Sequence, residues 1–177
     1  MPDAARQCFR DCNLLEGFDD DTVYWWDRTS NSIRVERTRI NHEVGRKAEK
    51  LTLQFERHRT RQEPVWQAVE TNVSGFDVLS VVEAGSTTKL KIEVKGSRLP
   101  RKQAPFFLTR NEWETAINSH EFHFHLWLVH EIPVLFVVPA RLLVPHVPQD
   151  GASGRWETAQ FFFEEFASCH CATPALA

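Results

Sequence analysis

The spacing of apolar residues predicts two helices in the middle of the chain. The first begins at Asn41, which can serve as its N-terminal cap. Its apolar positions recur at the spacing of one helix face: Val44, Ala48, Leu51 and Phe55. The second begins at Arg110, because Thr109 and Glu112 have the spacing of a capping box. Thr109 and Glu112 are therefore interpreted as capping residues.

Strand patterns fill most of the sequence between and after these helices. They occur at 64–70, 76–83, 88–95, 121–130 and 133–139. The segment 121–130 alternates strictly, with four apolar side chains facing inward: Phe122, Phe124, Leu126 and Leu128. We interpret its other face, with His123 and His125, as a polar face or a partner interface. Helices interleaved with strands predict an α/β fold with a central mixed β-sheet flanked by helices.

Length and composition set the limits of this fold. The 177 residues suffice for one domain with a sizeable core, which we place at 41–147. Residues 1–40 form an N-terminal appendage of unknown role, helical or β, and 148–177 form a C-terminal extension packed on or trailing the core. Within that extension, RWETAQFFFEEFA fits a terminal helix or an edge strand equally well.

Charge and apolar content restrict the partners that we expect. A formal net charge of −3 argues against non-specific wrapping of nucleic acid but allows a local basic patch. No apolar run approaches the length of a membrane span, and no secretory signal follows Met1, so we expect a cytoplasmic protein without membrane contact. Four cysteines lie near the chain ends: Cys8, Cys12, Cys169 and Cys171. Their spacing matches no common zinc module, which favours reduced thiols over a zinc site.

The hairpin formed by 76–83 and 88–95 carries unexpected ionisable residues. If Gly85 is the centre of its turn, Asp77 lies opposite Glu93. Opposed residues of an antiparallel pair have their side chains on one face, and Lys95 points to that face as well. The pattern therefore predicts that two carboxylates and one ammonium group converge beside buried strands. An exposed cross-strand salt-bridge cluster is the alternative.

The chemistry of such a cluster favours a divalent cation. Two carboxylates held together at the edge of a core repel each other and lose hydration. Mg²⁺ relieves both problems, since it prefers one or two carboxylates together with water and phosphate oxygens. A lysine beside the cation can orient water or neutralise charge on a phosphate. The hairpin therefore suits metal-assisted hydrolysis of a phosphodiester.

The same residues resemble a known group of nucleases. GFD at 75–77 and IEVK at 92–95 resemble the PD-(D/E)xK nuclease superfamily, although Phe76 replaces the proline of its name. GRKAEKL at 45–51 resembles the first core helix of those enzymes. More narrowly, GFDVLS, IEVKGS, PFFLTRNEWETA and FHLWLV resemble the nuclease-like domain at the C-terminus of the plant protein NO VEIN. This resemblance covers about 43–140.

The resemblance implies a restriction-endonuclease-like core and a Mg²⁺-dependent DNA endonuclease, with Mn²⁺ as a substitute cation. It implies metal ligation by Asp77, Glu93 and the main-chain carbonyl of Val94, with Glu49 as a further metal ligand. Lys95 would position water and stabilise developing charge. The family context further implies restriction or defence against foreign DNA, a possible homodimer, and a helicase, methyltransferase or other defence protein encoded nearby.

A basic loop follows the hairpin and could hold the substrate. Three residues of RLPRKQAP, Arg98, Arg101 and Lys102, could contact the DNA backbone near the scissile phosphate. Two alternatives to an enzyme stay open. One is a catalytically silent nuclease-like module that binds nucleic acid or a partner protein, and the other is a zinc-binding scaffold built on the cysteines.

Overall fold

A computed structural model describes residues 2–15, 19–67, 74–151 and 154–171 of the chain. The chain divides into two compact units, Met1–His42 and Glu43–Ala177. None of the helices in the described ranges combines the length and the apolar character needed to cross a membrane.

The N-terminal unit is helical. Helix α1 spans Asp3–Asp11, and helix α2 spans Asp20–Thr60, so that α2 begins in this unit. The ring of Phe9 stacks on Trp26 with 5.6 Å between centroids, and Trp26 Nε1 donates to the Leu14 carbonyl at 2.8 Å. The expected helix start at Asn41 is wrong. The carboxylate of Asp19 accepts from Thr22 N at 2.9 Å and caps the helix much earlier.

Within the described residues, the second unit contains the C-terminal part of α2, eight strands and one further helix. The strands are β1 (Val65–Trp66), β2 (Val78–Val81), β3 (Lys89–Ser97), β4 (Pro105–Thr109), β5 (Phe122–Leu128), β6 (Val134–Pro139), β7 (Thr158–Phe162) and β8 (His170–Cys171); the helix is α3 (Arg110–Ile117). Short 3₁₀ segments lie at Arg101–Gln103, Ala140–Leu142 and Phe163–Cys169. Of the strand expected at 64–70, residues 68–70 lie outside the described ranges.

Six strands form a central sheet in the order β1-β2-β3-β5-β6-β8. Strands β3 and β5 are parallel, whereas the pairs β1–β2, β2–β3, β5–β6 and β6–β8 are antiparallel. The predicted α/β class with a mixed sheet flanked by helices is confirmed. Strand β4, which the sequence analysis missed, pairs with β7 in a second sheet of two strands. The ambiguous C-terminal segment is thus a strand at Thr158–Phe162 and a 3₁₀ helix from Phe163 onward.

The C-terminal half of α2 covers one face of the central sheet. Gly96 permits a close approach there, because a Cβ atom at this residue would lie 3.0 Å from Ala48 Cβ. On the same face Trp127 Nε1 donates to Thr52 Oγ1 at 2.8 Å, and the ring of His125 meets that of Phe55. His125 is 1% exposed and Trp127 is fully buried. The expectation of an outward polar face on β5 is therefore wrong, because α2 covers it.

The opposite face carries the aromatic core. Inward residues of β5 and β6 pack with those of β4 and of the C-terminal segment; they include Phe124, Leu126, Phe136, Phe106, Leu108, Phe161, Phe163 and Phe166. The rings of Phe106 and Phe161 stack with 5.3 Å between centroids. The segment from Thr158 to Phe166 thus packs on the core and completes it.

Candidate functional site

The hairpin of β2 and β3 has the register that the sequence predicts. Val78 lies opposite Ile92, and Gly85 in the turn adopts a φ of 81° that favours glycine. Asp77 lies one residue before β2, and its N–H donates at 2.9 Å to the carbonyl of Ile92, the residue that Val78 also faces. Its Oδ2 accepts from Val94 N at 2.8 Å. The backbone of β3 therefore fixes the Asp77 carboxylate.

Lys95 joins two carboxylates that come from different elements. Its Nζ donates to Glu93 Oε1 on β3 and to Glu112 Oε1 on α3, each at 2.8 Å. The predicted capping box of Glu112 is also present, because Glu112 Oε2 accepts from Thr109 N. From the sequence, Glu112 was expected only to cap helix α3. Its second carboxylate oxygen, which a capping box leaves available, was the signal that could have placed it in the site.

The electrostatic environment of the site perturbs all four groups. Burial raises the pKa of Asp77 to about 6, and the charge of Glu49 adds to this rise. Burial also raises the pKa of Glu93 well above its ordinary value, although Lys95 opposes the change. Burial alone would lower the pKa of Lys95, but the charges of Glu93 and Glu112 raise it instead. Burial opposes the ionisation of Glu112, yet Lys95 keeps its pKa below the ordinary value.

Glu49 lies beside this cluster but has its own partners. Its Oε2 accepts from Trp66 Nε1 at 2.6 Å and from Arg46 at 3.2 Å. The Arg46 guanidinium in turn lies over the Trp66 ring, 4.9 Å from its centroid. Asp77, Glu93 and Lys95 thus come together as expected, whereas Glu49 acts on Asp77 through its charge. Within the described ranges, no three His, Cys, Asp or Glu side chains are arranged to hold a metal ion.

Comparison with known proteins identifies the family. Residues 48–136, half of the chain, match the family model described as Protein NO VEIN, C-terminal. The chain belongs to the NO VEIN C-terminal family. No curated protein and no solved structure matches the chain. The wider resemblance to the PD-(D/E)xK nucleases stays a prediction from the motif.

All the acidic residues of the site lie inside the NO VEIN C-terminal match, as does Lys95. The donors suit Mg²⁺, which prefers one or two carboxylates with the rest of its shell from water and substrate. The raised pKa values of Asp77 and Glu93 show that the surrounding positive charge does not compensate both carboxylates. The carboxylates of Asp77 and Glu93 and the Val94 carbonyl are donors of this type, and a divalent cation bound to them stays a prediction.

The basic loop of this NO VEIN C-terminal domain is only partly available to a ligand. Arg98 and Lys102 are exposed. Arg101 instead forms a salt bridge with Glu164, with 2.6 Å between Nε and Oε2. All three cations were expected to contact DNA, because no local pattern shows that the C-terminal segment returns to this loop. Glu164 offsets the charge of Arg101, which leaves Arg98 and Lys102 as the stronger candidates for phosphate contact.

Among the described residues, none of the four cysteines forms a disulfide. Cys8 and Cys12 belong to the N-terminal unit, and Cys169 and Cys171 belong to the second unit. A zinc role for them stays a prediction.

A second polar cluster lies under α2, on the other face of the sheet. Glu56, which is buried, accepts from Ser80 Oγ at 2.5 Å and is bound by the Arg59 guanidinium. His125 Nε2 lies 3.9 Å from Glu56 Oε1, too far for a hydrogen bond. Neither ring nitrogen of His125 has a hydrogen-bond partner among the described residues. Burial lowers the pKa of His125 to about 3, so its ring is neutral at physiological pH.

Proposed function

We propose that this NO VEIN C-terminal domain is a Mg²⁺-dependent endonuclease that hydrolyses phosphodiester bonds of DNA. The observation that carries the proposal is the meeting of Asp77, Glu93 and Lys95 on one face of adjacent strands, with both carboxyl pKa values raised. A buried pair of carboxylates beside an ammonium group is costly to keep unless it binds a ligand. Membership of the family agrees with a nuclease-like domain.

The proposed roles follow from the position of each group. Asp77 and Glu93 hold the cation, with the Val94 carbonyl beside them, and Glu49 adds negative charge nearby. A divalent cation in this place supplies charge neutralisation and Lewis-acid polarisation of the phosphate. Lys95 donates hydrogen bonds to the attacking water and to phosphate oxygens as negative charge develops on them. The N–H of Val94 donates to Asp77 Oδ2 and so holds this carboxylate in place.

Binding of the DNA backbone is assigned to the loop after β3. Arg98 and Lys102 offer exposed positive charge close in sequence to Lys95. Contacts of this kind position a duplex without reading its bases. The proposal therefore assigns no sequence preference to this loop.

Cleavage assays test the proposal directly. Plasmid and linear DNA are incubated with the purified protein in Mg²⁺, in Mn²⁺ and in EDTA. We expect cleavage in both metals and none in EDTA, and loss of cleavage in the Asp77→Asn and Glu93→Gln variants while both remain folded. Cleavage that survives in both variants would place the chemistry elsewhere.

A second candidate function is a nuclease-like module that binds nucleic acid or a partner protein without cutting it. The observation that favours it is the engagement of Lys95 by two carboxylates at 2.8 Å, which leaves the ammonium little freedom. DNA binding by the wild-type protein that is equal in Mg²⁺ and EDTA, with no cleavage in either, would support this module.

The biological setting of the proposed nuclease is restriction or defence against foreign DNA, which rests on the resemblance alone. The same proposal includes a homodimer, which would bring two active sites to the two DNA strands. It also includes a helicase or methyltransferase as a partner. Plating of phage on cells that express the wild-type or the Asp77→Asn protein tests it. Equal plating on both would remove defence from the proposal and leave the chemistry untouched.

A further inference from the structure

The ammonium group of Lys95 has two carboxylate partners, Glu93 and Glu112. The proposed chemistry requires Glu93 as a ligand of the cation. Glu93 and Glu112 each accept from Nζ at 2.8 Å, and the Lys95 side chain is only 17% exposed. Glu93 is a ligand of the proposed cation, which would repel the ammonium by its like charge. Glu112 is the acceptor that lies outside the cation-binding pair.

The fold fixes Glu112 more firmly than an ordinary surface carboxylate. Thr109 N donates to its Oε2 at 2.8 Å, and Glu112 N donates to Thr109 Oγ1 at 3.3 Å. Helix α3 also packs tightly on the turn before Asp77. Gly75 in that turn has a φ of 67°, and a Cβ atom there would lie 2.9 Å from Thr115 Cβ. Glu112 therefore belongs to a helix, α3, that packs closely against the turn before Asp77.

We propose that Glu112 is a positioning residue that holds the Lys95 ammonium at the site while Glu93 binds the cation. This inference rests on the proposed nuclease function. One carboxylate oxygen caps α3 and the other binds Lys95, so the helix start and the lysine are set by one side chain. Glu112 acts through Lys95 and needs no contact with substrate.

The variant Glu112→Gln separates the two tasks. Its amide oxygen can still accept from Thr109 N, which preserves the cap, because glutamine also serves in capping boxes. Its amide NH₂ cannot accept a hydrogen bond from an ammonium group. Glu114→Gln is the matched control, since it makes the same change of charge in the same helix. The Glu114 side chain is 54% exposed and pairs with Arg110.

The first readout is independent of cleavage. In protein labelled with ¹⁵N-lysine, an ammonium group held by two carboxylates exchanges its protons slowly enough to give an NMR signal. The signal of Lys95 is identified by its loss in Lys95→Met. We expect it in the wild-type protein and in Glu114→Gln, and expect its loss in Glu112→Gln. Persistence in Glu112→Gln, or absence from the wild-type protein, would overturn the proposal.

The second readout is the single-turnover cleavage rate. Glu112→Gln should lower it about 10- to 100-fold, the usual cost of losing a group that orients a site residue, with little change in DNA affinity. In the Lys95→Met background the same substitution should have no further effect on residual cleavage. An equal loss in both backgrounds would show that Glu112 does not act through Lys95. If the wild-type protein cuts no DNA, the proposed function fails, and the NMR comparison alone decides the role of Glu112.

Discussion

The pH dependence of stability measures directly how much the buried, ionised Asp77 carboxylate destabilises the fold. In the Asp77→Asn variant the side-chain oxygen can still accept from Val94 N, while the negative charge is removed. Burial raises the pKa of Asp77 from 3.8 to about 6. A rise of roughly two units means that ionised Asp77 lowers the free energy of unfolding by up to about 3 kcal/mol.

The direction of the effect follows from proton linkage. Between the unfolded pKa of 3.8 and the folded pKa of about 6, the folded state binds more protons than the unfolded state. Ionisation of Asp77 therefore lowers the free energy of unfolding of the wild-type protein as the pH rises through that window. The Asp77→Asn variant does not lose this stability, because asparagine does not ionise. Its advantage over the wild-type protein should be small near pH 4 and should approach about 3 kcal/mol above about pH 7.

Urea unfolding in EDTA at several pH values tests this expectation. His125 also makes stability depend on pH, in the opposite direction, because its lowered pKa leaves it neutral in the folded state. Both proteins contain His125, so its contribution cancels in the difference between them. Glu83→Gln, at an exposed residue of the hairpin turn, is the control. A difference that stays flat from acid to neutral pH, or a wild-type protein more stable than the variant at pH 8, would refute a destabilised Asp77 carboxylate.

Three further expectations follow from the contacts. Lys95→Ala should reduce cleavage to a small residual rate but keep most DNA affinity. Arg98→Ala with Lys102→Ala should instead weaken binding in gel-shift titrations and make its salt dependence shallower; an equal loss of binding in the Lys95 variant and in the double variant would make Lys95 an ordinary phosphate contact. Gly96→Ala should cost about 1–3 kcal/mol in urea unfolding, because its methyl group would press on α2, and an unchanged midpoint would contradict the close packing. His125→Phe should raise stability at neutral pH by about 1 kcal/mol or more by removing two unsatisfied nitrogens, and a clear loss of stability would indicate a hidden polar partner.

Local patterns predicted the parts of the molecule whose structure is decided locally. The turn at Gly85 set the register of the hairpin, in which Val78 lies opposite Ile92. The residues next to this pair, Asp77 and Glu93, lie close together with Lys95. The capping box at Thr109 placed the start of α3 at Arg110. These features depend on residues a few positions apart, so the sequence carries them without knowledge of the rest of the fold.

Long-range packing decided what the sequence could not. The alternation in β5 predicted one buried face, but α2 covers the other, and His125 is buried there although it is a titratable residue. Strand β4 was not predicted, because its partner, β7, lies about 50 residues further along the chain. Glu112 and Glu164 were missed for the same reason, since their partners Lys95 and Arg101 come from distant segments.

The pairing of β4 with β7 has a consequence for the synthesis of the protein. A chain emerges from the ribosome with its N-terminal part first, so β4 and α3 are made before β7 exists. Until β7 arrives, Phe106 lacks the ring of Phe161 that stacks on it, and β4 lacks its strand partner. Helix α3 follows β4 directly and carries Glu112. A nascent chain would thus complete the surroundings of Lys95 only after β7 has been made, which delays any activity of this site until that point.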